Sequence, residues 1–222
     1  MITIKILETL LELIYPNVCG FCEEINKNSL CKNCKQKIES IKVEKIDNYK
    51  NDKSKSFDNH GYIFKYEGQI RKMLIDYKFN DKAYLYKTFT RMILNSEKIC
   101  DYISLYDIII PVPIHKRRLQ QRGYNQSELI AKEFAREFNI IKLMEKNLIK
   151  TKNNAAQSQL KKEERLSNVK GVYKLVNPEI LYGKKVVLLD DIYTTGNTAN
   201  ECAKLLKLAG VKEIGILTIA KD

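Results

Sequence analysis

Between Lys185 and Thr198 the chain reads KVVLLDDIYTTGNT, and this stretch restricts the fold more than any other. Val186, Val187, Leu188 and Leu189 carry no polar residue at alternate positions, the pattern of a strand covered on both faces. The run breaks into two consecutive carboxylates, Asp190 and Asp191, and then into a Thr-Thr-Gly-Asn-Thr turn. TANECAKLLKLAG follows with helical periodicity and with Gly210 as its expected C-terminal cap. A doubly covered strand that hands acids and a hydroxyl-rich turn to a helix start predicts a layered α/β sheet with a ligand at the strand's carboxyl end.

The residue types suit a sugar phosphate. Unpaired N–H groups at a helix start, at the positive end of its dipole, favour an anion. Gly196 permits a sharp turn and a close approach, while Thr194, Thr195, Thr198 and Asn197 add side-chain donors. Carboxylates repel phosphate but accept hydrogen bonds from vicinal hydroxyls, so Asp190 and Asp191 fit a ribose. Paired acids can also cap a helix or hold a metal. The lysine-bearing Walker A pattern and G-x-G-x-x-G are both absent, which argues against an ordinary nucleoside triphosphate or dinucleotide site.

The 222 residues suffice for one α/β domain plus a small appendage. Cys19, Cys22, Cys31 and Cys34 form C-x2-C-x8-C-x2-C. Two such knuckles brought together make a tetrahedral sulfur site that favours structural Zn²⁺; an iron–sulfur site or redox dithiols stay open at this point. Cys100 and Cys202 are isolated and expected to be small core residues. The formal charge of +12 invites an acidic partner, nucleic acid or a polyphosphate, although diffuse lysines more often make a solvated surface. No run is long and apolar enough to span a bilayer. The N-terminal ITIKILETLLELI carries Lys5, Glu8 and Glu12 at helical spacing and lacks a cleavage site, so a cytoplasmic protein is expected.

The division expected is residues 1–40 for a helix plus the four-cysteine module, 41–59 for a polar linker or irregular hairpin, and 60–222 for the α/β domain. Within that domain strands are expected at Gly61–Tyr66, Asp107–Val112, Ile141–Ile149, Val172–Val176, around Val186 and at Ile214–Ile219. Helices are expected at Gly68–Phe79, Tyr84–Leu94 and Asn125–Phe138. Two further segments hold candidate chemistry. PVPIHKRRLQQRGYNQ (Pro111 to Gln126) also follows a buried strand, and His115, Arg117, Arg118 and Arg122 make it a cationic loop suited to pyrophosphate. The polar stretch from Asn153 to Gly171 is long and weakly patterned, which suits either a lid over a substrate or a disordered surface loop.

These segments together resemble a known family. D-D-I-Y-T-T-G-N-T resembles the signature of the type I phosphoribosyltransferases, whose loop holds the 5′-phosphate of phosphoribosyl pyrophosphate (PRPP) and whose acids hold its ribose. H-x-x-R with R-G-Y-N-Q, then Q-x-x-L-x4-R-x-x-N-V-x-G from Gln157 to Gly171, all behind a four-cysteine knuckle, is similar to the ComF family of phosphoribosyltransferase-like proteins associated with natural competence and DNA uptake. Lys150 and Asn154 stand where that pattern leads one to expect Arg and Thr.

By position, the resemblance implies Thr194, Thr195, Gly196, Asn197 and Thr198 at the 5′-phosphate, and Asp190 and Asp191 at the ribose as the catalytic pair. It implies His115, Arg117, Arg118 and Arg122 at the pyrophosphate, Gln157 and Arg165 on the lid, and the four cysteines on zinc. Mg²⁺ would accompany PRPP, mostly keeping water ligands. The reaction implied is displacement of pyrophosphate from the sugar through an oxocarbenium-like transition state. A second class of function is a PRPP-sensing or single-stranded-DNA-binding component of the uptake apparatus. Base-stacking aromatics for it would come from Tyr62, Phe64, Tyr66, Tyr77, Phe79, Tyr84 and Tyr86, which at these spacings also suit a core. No acceptor base is named by the residues.

Overall fold

The computed structural model describes residues 17–139, 141–152 and 171–222. Helix α1 (Lys32–Ile41) precedes strands β1 (Lys45–Asn48) and β2 (Asn59–Lys65) and helices α2 (Gly68–Phe79), α3 (Leu85–Leu94) and α4 (Glu97–Ser104). Strand β3 (Ile108–Pro111), helices α5 (Lys116–Arg122) and α6 (Gln126–Phe138) and strands β4 (Lys142–Leu143), β5 (Leu148–Lys150) and β6 (Tyr173–Leu175) follow. A 3-10 turn at Pro178–Leu181 leads into β7 (Lys185–Tyr193), α7 (Asn197–Leu208) and β8 (Glu213–Lys221).

The main sheet has the order β1-β2-β8-β7-β3-β4. Every neighbouring pair in it is parallel except β1 with β2, so β1 is an antiparallel edge on an otherwise parallel sheet. The apolar run of β7 is explained by its central place. Val187 and Leu189 enter one core cluster with Leu74, Phe89, Ile130 and Phe134, whereas Val186 and Leu188 enter another with Cys202, Ala203 and Leu206. Helices therefore cover both faces, as a parallel sheet requires.

Three sequence expectations change. Ile141–Ile149 is not one strand. It divides into β4, which borders β3, and β5, which pairs with β6 in a separate antiparallel hairpin, so Val172–Val176 also lies outside the main sheet. Asn147 stands at the division: its side chain accepts from the Asn177 N–H at 2.8 Å and donates to the Asn177 carbonyl at 3.3 Å, closing the end of the β5–β6 pair. The basic stretch after β3 is a helix rather than a loop. His115 Nδ1 accepts from the Arg117 N–H at 3.2 Å to start it, and Gly123, at φ 81°, ends it.

Residues 41–59, expected as a linker or irregular hairpin, supply β1, which pairs antiparallel with β2, and a buried anchor. Phe57 is 1% exposed and packs edge-on to Tyr193 at 6.3 Å. The Ser56 N–H donates to Asn200 Oδ1 at 2.6 Å, tying this stretch to α7.

Candidate functional site

Because β2, β8, β7 and β3 run parallel, their carboxyl ends meet on one edge of the sheet, and a cleft of about 810 Å³ opens there. Asp190 and Asp191 stand at its floor, still within β7, where the sequence had them breaking the strand. Asp190 lies opposite Thr218 of β8. Its Oδ1 accepts from the Ser127 hydroxyl at 3.2 Å and from the Asp191 N–H at 2.9 Å. Burial, with the Asp191 charge beside it, pushes the Asp190 carboxyl up to about 7.

Asp191 is buried and holds Lys78 from the end of α2, with Nζ 2.8 Å from Oδ2 and 3.2 Å from Oδ1. Burial alone would lower the Lys78 pKa, but the charges of Asp191 and Asp190 outweigh it and raise it. The sequence reading missed Lys78. In a chain with 39 basic residues, one lysine at the end of an amphipathic helix gives no signal.

The turn after β7 has the geometry of an anion cradle. Gly196 precedes the first residue of α7 in the left-handed conformation, at φ 73°. A Cβ there would collide with the Tyr193 ring, which is itself stacked on the His60 imidazole at 4.3 Å. Thr194, Gly196 and Thr198 line the cleft. Thr195 is not a lining residue; its hydroxyl oxygen is buried and has no partner among the described residues. A helix start at the cleft places the positive end of its dipole where an oxyanion would bind. Gly196→Ala combines left-handed strain with the Tyr193 clash. It is expected to lower unfolding stability by about 2 kcal/mol in urea denaturation, and an unchanged midpoint would refute this reading of the turn.

Arg118, Arg122 and Lys150 also line the cleft. Arg122 is held by Gln126 Oε1 at 2.5 Å and lies over the Phe79 ring at 5.6 Å. Lys150 lies over the Tyr173 ring at 5.3 Å, and burial with the Arg118 charge brings its ammonium down to about 8. Thus Lys150, singled out in the sequence only as a departure, belongs to the cationic wall. His115 and Arg117 are not among the lining residues: Arg117 points to solvent, and His115 is buried as the helix cap. Burial and cationic neighbours led by Arg117 lower the His115 pKa. Asn197 begins α7 but is not a lining residue. Gln157 and Arg165 lie outside the described residues.

The four cysteines meet away from this cleft, with their ligand atoms all within 4.8 Å of one another. The Cys31 N–H donates to Cys19 Sγ at 3.3 Å. Burial raises the Cys19 thiol, yet N–H donors led by that of Cys31 outweigh it and bring it to about 7, whereas burial and the neighbouring cysteines raise Cys34 and the Cys22 thiol is raised as well. Four soft donors at this spacing fit a closed tetrahedral zinc site. Cys202 is fully buried in the core; Cys100 is half-buried, with Sγ 3.5 Å from the Ile93 carbonyl.

The phosphoribosyl transferase domain profile matches residues 125–222, from the start of α6 through the turn to the end of β8. Competence protein F of Haemophilus influenzae is 29% identical over 213 residues, covering 89% of this chain and 92% of that one. Competence protein ComFC of Streptococcus pneumoniae is 30% identical over 163 residues, covering 73% of this chain and 68% of that one. A purine phosphoribosyltransferase from Pyrococcus horikoshii aligns at a TM-score of 0.41 and 17% identity, over 64% of this chain and 85% of that one. With a phosphoribosyl transferase domain on a mostly parallel sheet and these competence proteins as its relatives, the chain belongs to the ComF family.

Proposed function

We propose that this protein binds PRPP in the β7 cleft as a phosphoribosyltransferase-family component of natural competence and DNA uptake. The observation that carries the proposal is the set of groups collected at one cleft. Thr194, Gly196 and Thr198 at a glycine-led helix start, the acids Asp190 and Asp191, and the cations Arg118, Arg122 and Lys150 all line it. A 5′-phosphate, a ribose and a pyrophosphate require these three chemistries together.

Asp190 and Asp191 would receive the ribose hydroxyls and the cationic wall the departing pyrophosphate, stabilising charge as it develops. Thr194, Thr195, Gly196, Asn197 and Thr198 would hold the 5′-phosphate. Gln157 and Arg165 would close over it. Mg²⁺, if it accompanies PRPP, would neutralise pyrophosphate charge. Zn²⁺ on Cys19, Cys22, Cys31 and Cys34 is assigned a structural role, since four thiolates complete a tetrahedral shell and leave no position for a reacting water. A cytoplasmic location follows from the substrate; no described helix is long and apolar enough to cross a membrane.

Calorimetric titration of the zinc-loaded protein with PRPP and Mg²⁺ is expected to give one site per chain with a micromolar Kd. No heat and no protection against thermal unfolding at millimolar PRPP would end the proposal. A second reading, a site for single-stranded DNA, draws support from Phe79, 54% exposed under Arg122 at the cleft. Tyr62, Phe64 and Tyr77 are buried and Tyr66, Tyr84 and Tyr86 half-buried, so most of the aromatics named for stacking serve the core. Competition between PRPP and a labelled oligonucleotide separates the readings.

A further inference from the structure

Two carboxylates on consecutive residues at a cleft floor are hard oxygen donors of the kind a divalent cation collects. Here that role is already taken. Both oxygens of Asp191 receive hydrogen bonds from Lys78 Nζ, and Asp190 Oδ1 receives the Ser127 hydroxyl and a backbone N–H. Lys78 is not a chance neighbour. The adjacent Tyr77 is fully buried, its hydroxyl donates to the Gln126 carbonyl at 2.9 Å, and its carbonyl receives the Tyr124 hydroxyl at 2.5 Å. The end of α2 is thereby pinned to the start of α6, and the ammonium is held toward Asp191 by two aromatic anchors, Tyr77 buried and Tyr124 half-buried.

We infer that Lys78 is a built-in counter-ion that keeps the Asp190–Asp191 pair closed to free divalent cations, so that magnesium enters only in company with a polyphosphate. Exclusion of the free metal stands on the geometry; the polyphosphate clause rests on the PRPP proposal. One ammonium offsets one carboxylate and leaves the pair at most one net negative charge. Magnesium gives up its water reluctantly and takes few protein ligands, so a half-neutralised pair competes poorly for it. A polyphosphate supplies its own oxygens, and the metal need not take Asp191 from Lys78.

The test is Mn²⁺ binding, followed by electron paramagnetic resonance of the free ion, to zinc-loaded full-length protein without PRPP. The unsubstituted protein is expected to bind Mn²⁺ only above millimolar concentration, and Lys78→Met and Lys78→Gln at least about tenfold more tightly. Inorganic pyrophosphate is expected to bring Mn²⁺ onto the unsubstituted protein. A lysine with a merely structural role would lower the Tm of both variants and leave Mn²⁺ affinity unchanged, which would overturn the inference. So would tight Mn²⁺ binding by the unsubstituted protein, a result that needs no variant to fold. Failure with pyrophosphate alone overturns the polyphosphate clause. PRPP failing to bind while the Mn²⁺ results hold removes the proposed function and not the counter-ion.

Discussion

Replacing Asp190 and Asp191 together by Asn is expected to weaken PRPP binding by more than about 100-fold, because each charge-assisted hydrogen bond to a ribose hydroxyl contributes about 1.5–3 kcal/mol. Calorimetry on the unsubstituted protein and the double variant measures it directly, and affinities within tenfold of each other would exclude these acids as the sugar site. The single variants should separate, since the two carboxylates have opposite environments. Asp191 has Lys78 on both oxygens, so Asp191→Asn leaves a half-buried ammonium without its bidentate partner and lowers the Tm at every pH.

Burial and the neighbouring Asp191 charge make Asp190 a weak acid in the fold. Its pKa is about 7 when folded and near the ordinary carboxylate value of about 3.9 when unfolded, so between these pH values the native state binds more protons. Stability conferred by the protonated form is therefore complete below about pH 4 and is lost as pH rises through about 7. Asp190→Asn removes that loss. It is expected to raise stability by on the order of 2 kcal/mol at pH 8 and by almost nothing at pH 4. A functional acid that destabilises its own fold is the usual sign that a site is shaped for a ligand, and a variant no more stable at pH 8 than at pH 4 would show that Asp190 ionises freely.

The residues that sequence made legible are those whose chemistry is local. β7, its acids, the glycine turn and α7 are consecutive, so a continuous apolar run passing into a 3.6-residue pattern locates all of them without any long-range information. The cysteine cluster was legible for the same reason. What was missed depends on distant partners. Lys78 becomes a site residue only through Asp191, 113 positions away, and Phe57 becomes a buried anchor only through Tyr193. The break between β4 and β5 needs Asn177, 30 positions beyond Asn147. His115 and Arg117 show the reverse error. They share a basic run with Arg118 and Arg122, but once the run coils into α5 a helix presents only one side to the cleft, so His115 is left at the helix start and Arg117 faces away.

Metal removal is expected to reach far beyond the cysteine module. Cys19, Leu30, Cys34 and Ile38 lie in the same core cluster as Phe64, Leu74, Phe89 and Leu217, with no apolar gap between module and sheet. Polar ties run parallel to that packing. Gln69 Nε2 of α2 donates to the Phe21 carbonyl at 3.2 Å, Thr88 of α3 donates to the Ser29 carbonyl at 2.8 Å, and Lys82 joins Glu23 at 2.7 Å to Asp76 at 3.1 Å. Gly20 sits so close to α3 that a Cβ would come within 2.7 Å of Leu85 Cδ2. α2 is thus held at both ends by the module, and its last turn carries Lys78. Structural zinc contributes roughly 10 kcal/mol to small metal-dependent folds, so even part of that loss, at about 2–4 °C per kcal/mol for a chain of this size, should lower the Tm by more than about 10 °C. Cys31→Ser with Cys34→Ser, or chelation under mild heating with zinc release counted by mass spectrometry, is expected to shift a single cooperative transition. It should also weaken PRPP binding through the displaced end of α2. Two separate transitions, with the larger one unmoved, would instead make residues 1–40 an autonomous unit and sever the zinc site from the cleft.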